Sequence, residues 1–377
     1  MLRHLECSLV PEHTLDSEEL HGTCPHDDAP LLVRYDDLYL DVDESQRSMW
    51  RFRGVLPIDA GEDPVTLGEG LTPLLLAQNL MAALQLEAPL YVKDESQNPT
   101  GSFKARGMSV AVTVAKRLGA TSLVTPSAGN AGSALAAYGA KAGLPVHVFL
   151  PADTPRMIIE QTERYGANVT KVDGLITDAG KLAAAHARET GAFNVATLRE
   201  PYRVEGKKTM AYEIVEELGV VPSAIIYPTG GGTGIVGMWK AFEEMQNLGW
   251  IGSERPRFYS VQSDLCPTIV NAFASGAETA QPTACSTTVH GLRVPYLIGD
   301  RLVLRALRES NGGAVAVSEP QMVDDMHVLH AREGIDATEE GGATLSGLRA
   351  LLARGESFDG PIVLFNTGSA LKYGERS

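Results

Sequence analysis

Lys93-Asp94-Glu95-Ser96-Gln97-Asn98-Pro99-Thr100-Gly101-Ser102-Phe103-Lys104-Ala105-Arg106-Gly107 joins three local signals in one stretch. Leu90 to Lys93 read as a short buried strand, and Asn98-Pro99-Thr100-Gly101 is a concentrated turn signal. From Ser102 onward Met108, Val110, Ala111, Val114 and Ala115 support a helix that runs to Gly119. Lys104 is therefore expected in the first turn of a helix, beside unpaired backbone N–H groups and the positive end of the dipole. That setting disfavours an ammonium ion and suits a lysine that must act as a neutral nucleophile in Schiff-base chemistry. A solvated first-turn lysine is the plain alternative.

Working outward, a strand–helix alternation begins near residue 86 and continues almost to the end. Strands are expected at Leu90–Lys93, Ser122–Thr125, Val146–Leu150, Asn168–Val172, Ala192–Val195, Ala224–Tyr227, Phe258–Gln262 and Pro361–Phe365. Helical periodicity fills 102–118, 131–142, 155–165, 178–190, 205–218, 234–247, 319–332 and 341–354. Short apolar strands alternating with amphipathic helices imply an α/β fold with open parallel sheets covered on both faces. Residues 275–297 are the least regular part and read as a mobile or subunit-contact loop.

Size and composition set limits on function. A chain of 377 residues is long enough for two domains or one large α/β unit. A net charge of −15 argues against nucleic acid or an anionic membrane as a partner, since both require a basic surface. Met1-Leu2-Arg3-His4-Leu5-Glu6 has no apolar run of the signal-peptide kind, and no stretch is long enough to span a bilayer. Four scattered cysteines (Cys7, Cys24, Cys266, Cys285) are too few for a disulfide scaffold, so a reduced, cytoplasmic location is expected. Residues 1–60 are polar and proline-punctuated, with one candidate strand at Leu31-Leu32-Val33-Arg34-Tyr35. Cys7, His13, His21, Cys24 and His26 raise the question of a metal. However, Cys7 lacks a Cys-x-x-Cys partner and Cys24-Pro25-His26 is too tight for a usual knuckle, so no metal is expected.

In open α/β sheets ligands bind beyond the carboxyl ends of the strands. Thr125-Pro126-Ser127-Ala128-Gly129-Asn130-Ala131-Gly132 leaves one strand for an alanine-rich helix. Its small residues permit close approach to the backbone, with Ser127 and Asn130 as polar groups; an ordinary turn with Asn as N-cap is the alternative. Tyr227-Pro228-Thr229-Gly230-Gly231-Gly232-Thr233-Gly234 exposes backbone N–H groups at a helix start and reads as a phosphate cradle rather than a packing feature. No Gly-Lys-Ser/Thr follows, whereas Gly232-x-Gly234-x-x-Gly237 with Asp264 fits a dinucleotide fingerprint, so an NAD-binding module is a competing reading. Asn366-Thr367-Gly368-Ser369 places a hydroxyl after the last strand.

A lysine at a helix start, a phosphate cradle, and Asn and Thr side chains at other strand ends together suit pyridoxal phosphate. Asn98-Pro99-Thr100-Gly101-Ser102-Phe103-Lys104 with Arg106-Gly107, Ser127-Ala128-Gly129-Asn130, the Gly230–Gly234 loop and Thr367-Gly368-Ser369, in that order, resemble the fold-type II pyridoxal-phosphate enzymes. Among these the chain is most similar to the threonine synthases, over roughly residues 5 to 373. The resemblance implies a tryptophan-synthase-β-like fold: an N-terminal arm (1–60) like that family's zinc-ribbon-like leader with ligands missing, a large domain (61–105 plus 205–377), and a small one (106–204), with the cofactor in the cleft. It implies that Lys104 carries the cofactor and shuttles protons, and that Asn130 bonds the ring oxygen. Gly230, Gly231, Gly232, Thr233 and Gly234 would hold the phosphate, and Thr367 would face the pyridine nitrogen. Ser127, Ala128, Gly129 and Asn130 would receive the carboxylate of an amino-acid substrate. For O-phospho-L-homoserine, a cation is needed at the substrate phosphate; of Arg156, Arg203, Lys207 and Lys208, Arg203 is preferred. A homodimer is implied by analogy.

Three positions depart from the family pattern. Ala105 stands where aspartate is usual, Glu200 where asparagine is common before Pro201-Tyr202-Arg203, and Ala370 where glycine is usual. A carboxylate beside a bound phosphate is repulsive unless it is paired or turned away. These departures keep open a serine/threonine dehydratase or β-replacement enzyme acting on an unphosphorylated amino acid.

Overall fold

The computed structural model describes residues 3–39 and 41–373. Met1 and Leu2, on which part of the signal-peptide reading rests, lie outside them. The chain divides into two compact units, one of residues up to 71 with 98–209 and from 372 onward, the other of 72–97 with 210–371.

The first unit contains two sheets. Strands Arg3–Cys7, Thr14–Asp16 and Leu31–Tyr35 form an antiparallel sheet with Arg3–Cys7 in the centre. A parallel sheet runs in the order Asn168–Val172, Val146–Pro151, Leu123–Pro126, Phe193–Asn194. The helix Lys104–Arg117 is buried at every position from Ala105 to Ala115, which explains its run of small and β-branched residues. Its polar members are satisfied internally: Trp50 Nε1 donates to Ser109 Oγ at 3.0 Å, and Ser109 Oγ donates to the Val65 carbonyl at 2.8 Å. Gly119, at φ +82°, takes the left-handed conformation just past the helix end.

The second unit is built on a six-stranded sheet in the order Gly313–Val317, Arg257–Ser263, Ala224–Pro228, Ile362–Asn366, Leu90–Asp94, Leu74–Leu76. The first five are parallel and the last pairs antiparallel. Its core gathers Leu90, Val92, Ile226, Val261, Leu345, Leu348 and Leu364. Lys93 is fully buried inside this unit, 2.9 Å from Glu213 and donating to the Thr72 carbonyl at 2.7 Å, so its charge is matched where it is made.

This division differs from the expected 61–105 plus 205–377 and 106–204. The arm and the Asn98 turn pack with the four-stranded sheet, because the Gly70 N–H donates to Asn98 Oδ1 at 3.0 Å and Trp50 reaches the Lys104 helix. The reading of the cysteines also needs correction. Cys266 and Cys285 form a disulfide, brought together where the Ser286 N–H bonds the Leu265 carbonyl at 3.2 Å. Residues 275–297, expected to be the least regular part, contain no helix or strand. In the arm, the turn after Cys7 and the loop from Cys24 converge, so Cys7, His13, Cys24 and Asp27 meet although no paired spacing announces them.

Candidate functional site

Lys104 is the first residue of its helix, as expected, and its amine lies 4.0 Å over the ring of Phe103. The loop before it is under conformational constraint. Thr100 holds φ +64°, unusual for a β-branched residue, and its hydroxyl and that of Ser102 are buried without a hydrogen-bond partner among the described residues. Lys372 ties this loop to the neighbouring helix, donating to the Thr100 carbonyl at 2.6 Å and to Ser133 Oγ at 3.1 Å. Burial pushes the Lys372 amine down to about 7.

Ser133 lies one turn after Asn130 in the helix Asn130–Ala142. Ser127 Oγ accepts from the Gly132 N–H at 2.8 Å and the Gly129 N–H at 3.1 Å, so its hydroxyl already shapes the Ser127–Asn130 turn. A Cβ on Gly132 would press on Val148, hence the glycine. Asn130 Nδ2 donates to the Tyr373 hydroxyl at 3.0 Å, while its Oδ1 is buried with no partner among the described residues. A tyrosine hydroxyl serves as donor or acceptor, so either end of this amide can be left for a ligand.

The start of the helix Tyr202–Leu218 meets the start of the Lys104 helix. A Cβ on Gly206 would overlap the Arg106 carbonyl, and one on Gly107 would lie 2.8 Å from the Arg203 carbonyl. At this crossing Lys207 Nζ donates to the Phe103 carbonyl, and Arg106 Nη1 donates to Thr209 Oγ1 at 2.9 Å. Glu200 is buried and turned into the helix start: its carboxylate accepts the N–H of Tyr202 at 2.7 Å and of Arg203 at 3.1 Å. Burial still pushes its carboxyl up to about 7, against the pull of Arg203, and burial likewise lowers the Arg203 guanidinium against the pull of Glu200.

The expected substrate cations are therefore placed as follows. Arg203 is 1% exposed, with Nη1 donating to the Val195 carbonyl at 2.9 Å and Nε without a partner among the described residues. Lys208 pairs with Glu205 at 2.7 Å, both fully buried, and Arg156 pairs with Glu160 on the surface. Ala105 is fully buried in the apolar cluster of this unit.

In the second unit, the Gly230–Gly234 loop and Thr367 leave the carboxyl ends of two neighbouring parallel strands, Ala224–Pro228 and Ile362–Asn366. The helix Thr233–Asn247 begins in the loop, and its first N–H groups lack intrahelical acceptors. The glycines also serve packing, contrary to expectation. A Cβ on Gly230 would overlap the Gly291 carbonyl, one on Gly234 the Tyr227 ring, and Gly232 sits at φ +79°. Thr367 is buried, and just before it Asn366 donates to Asp94 Oδ1 at 2.8 Å. Ala370 opens a short 3₁₀ turn, Ala370–Lys372, that delivers Lys372. Lys372 and Tyr373 were missed as site residues because no periodicity marks them; their place directly after the Thr367 segment was the available signal.

Each unit offers donors of a kind that pyridoxal phosphate takes: in the first, an amine at a helix start together with a buried amide oxygen and two buried hydroxyls that have no partner among the described residues, and in the second a glycine loop that opens a helix. The pyridoxal-phosphate dependent enzyme family matches residues 65–368. The threonine synthase of Methanosarcina acetivorans is 35% identical over 379 residues, covering 98% of this chain and 92% of that one. That of Methanocaldococcus jannaschii is 34% identical over 369 residues, covering 95% and 90%. Among solved structures, maize serine racemase has the same fold, with TM-score 0.67 at 23% identity over 79% of this chain and 88% of its own. The chain belongs to the pyridoxal-phosphate-dependent enzymes of fold type II, and within them to the threonine synthase family of lyases. The dinucleotide reading of Gly232-x-Gly234-x-x-Gly237 is thereby corrected: the glycine loop is that of a pyridoxal-phosphate enzyme.

Proposed function

We propose that the protein converts O-phospho-L-homoserine and water into L-threonine and inorganic phosphate. The observation that carries this reading is identity to threonine synthases over nearly the full length of both chains. Glu200 was the residue most at odds with a phosphorylated substrate, and its carboxylate is spent on the Tyr202 and Arg203 N–H groups.

When bound, pyridoxal phosphate withdraws electrons from the substrate's α-carbon, which makes protons on that carbon and its neighbours labile. Lys104 would hold the cofactor through its amine and, once released, carry protons at Nζ between adjacent carbons. Asn130 would orient the ring through its oxygen, and Thr367 would do so through its nitrogen. Gly230, Gly231, Gly232, Thr233 and Gly234 would hold the phosphate with backbone N–H groups. Ser127 to Asn130 would bind the substrate carboxylate. Arg203, with its unpartnered Nε, would supply the buried positive charge toward the substrate's phosphate. We place the enzyme in the cytoplasm as a homodimer; family analogy supports the dimer, and sedimentation of the pure protein tests it.

The test is an assay of the purified protein with O-phosphohomoserine, following threonine and phosphate together. Equimolar formation of both is expected. Turnover of free serine or threonine without phosphate release would favour instead a dehydratase or β-replacement enzyme. That second reading draws on the buried, carbonyl-bound state of Arg203 and on Ala105.

A further inference from the structure

The N-terminal arm carries no role in this chemistry, yet it holds the only cluster of metal-ligating side chains found among the described residues. One donor atom each from Cys7, His13, Cys24 and Asp27 lies within 4.8 Å of the others. Cys7 ends the central strand of the small antiparallel sheet, and His13 closes the turn that follows, with the Cys7 N–H donating to the His13 carbonyl at 3.0 Å. Cys24 and Asp27 occupy a tight loop just before the third strand, where the Asp28 N–H donates to the Cys24 carbonyl at 2.9 Å.

Three of the six donor-to-donor spacings are those of a tetrahedron, and the other three lie within 4.8 Å. A zinc ion bonds sulfur at ~2.3 Å and nitrogen or oxygen at ~2.0–2.2 Å, so its ligand atoms stand ~3.3–3.8 Å apart. Here Cys7 Sγ is 3.3 Å from one Asp27 oxygen and 3.5 Å from the other. Cys24 Sγ is 3.7 Å from His13 Nδ1, which is itself 3.5 Å from Asp27 Oδ2. The surroundings are those of a thiolate site: the Leu9 and Val10 N–H groups both point at Cys7 Sγ, at 3.4 Å each. The Ala29 N–H orients Asp27 through Oδ1 at 3.1 Å. Both cysteines are buried thiols, not joined to one another.

From this geometry we propose that Cys7, His13, Cys24 and Asp27 bind one structural zinc ion. Binding releases the two thiol protons and leaves a centre with two thiolates, one carboxylate and a neutral imidazole, closed to substrate. The ion staples the turn after the first strand to the loop before the third. That loop continues into Asp28, whose carboxylate holds Arg199 at 2.7 Å, next to Glu200. The site thus anchors the approach to the Tyr202 helix from outside the reaction centre.

The test uses the full chain, expressed without a histidine tag. Elemental analysis is expected to find about one zinc per chain, and His13→Ala or Asp27→Ala to lower it about tenfold while the protein stays folded by circular dichroism. Chelator-stripped wild-type protein titrated with Co2+ is expected to develop thiolate-to-cobalt charge-transfer absorption and the ligand-field bands of a tetrahedral site. Less than about a tenth of an equivalent of zinc with no cobalt spectrum would overturn the proposal. So would a Cys7–Cys24 disulfide recovered by peptide mapping of the native protein.

Discussion

Lys372 Nζ sits 2.6 Å from the carbonyl oxygen of Thr100, so a residue near the end of the chain holds the loop that presents Lys104. The same amine reaches Ser133 on the Asn130 helix at 3.1 Å, which couples the Lys104 loop to that helix. Replacing it with methionine keeps the volume and removes both hydrogen bonds. Lys372→Met is expected to weaken pyridoxal-phosphate affinity about tenfold, the equivalent of one or two buried hydrogen bonds. Titration of the stripped protein with cofactor measures this; unchanged affinity would show that the tether is dispensable.

Glu200 makes a prediction about pH. Its carboxyl is raised by burial from 4.5 to about 7, so the folded state favours the protonated form. The stability this contributes is fully present below about pH 4.5 and is lost as pH rises through about 7, with a ceiling of about 3 kcal/mol. Glu200→Gln mimics the protonated group and lacks that loss. Melting curves of the two proteins are expected to converge at about pH 4 and to separate at pH 8, with the variant the more stable. Parallel curves across that range would refute the assignment.

The helix crossing at Gly206 allows no side chain, since a Cβ would overlap the Arg106 carbonyl in a backbone-to-backbone contact. Gly206→Ala is expected to cost about 2–3 kcal/mol in urea denaturation. It should also lower cofactor affinity, because the Lys104 helix must shift. A loss below about 0.5 kcal/mol would mean that the helices separate freely.

The cysteines are predicted to behave as two populations. The denatured, unreduced chain should react with two equivalents of thiol reagent, from Cys7 and Cys24, and the reduced chain with four. Four equivalents without reductant would show that Cys266 and Cys285 are thiols in the isolated protein, as a reducing cytoplasm would leave them.

Much of this arrangement was legible in the residues themselves. The strand Ala224–Pro228 and the helix carrying Lys104 were readable because a continuous apolar run and a buried helical face leave strong signals. The turn at Asn98–Gly101 and the glycine loop were readable because those residue types have few other uses. Short elements were harder. Leu74–Leu76, the helix Gln78–Leu84 and the strand Gly313–Val317 offer too few residues for a period to emerge. Long-range partners were invisible. Nothing in the local chemistry of Lys372, Tyr373 or Glu200 tells which carbonyl, amide or helix start it will meet. The Cys7–Asp27 cluster was hidden for the same reason, since antiparallel pairing rather than spacing brings its donors together.

The central claim is that the Lys104 amine binds the cofactor aldehyde. Purified protein should absorb in the visible from bound pyridoxal phosphate, and borohydride reduction should fix the pyridoxyl group to one peptide. Mass spectrometry is predicted to place that group on Lys104, with no labelled peptide and no visible absorption in Lys104→Ala. Label on another lysine, or an undiminished chromophore in the variant, would contradict the account.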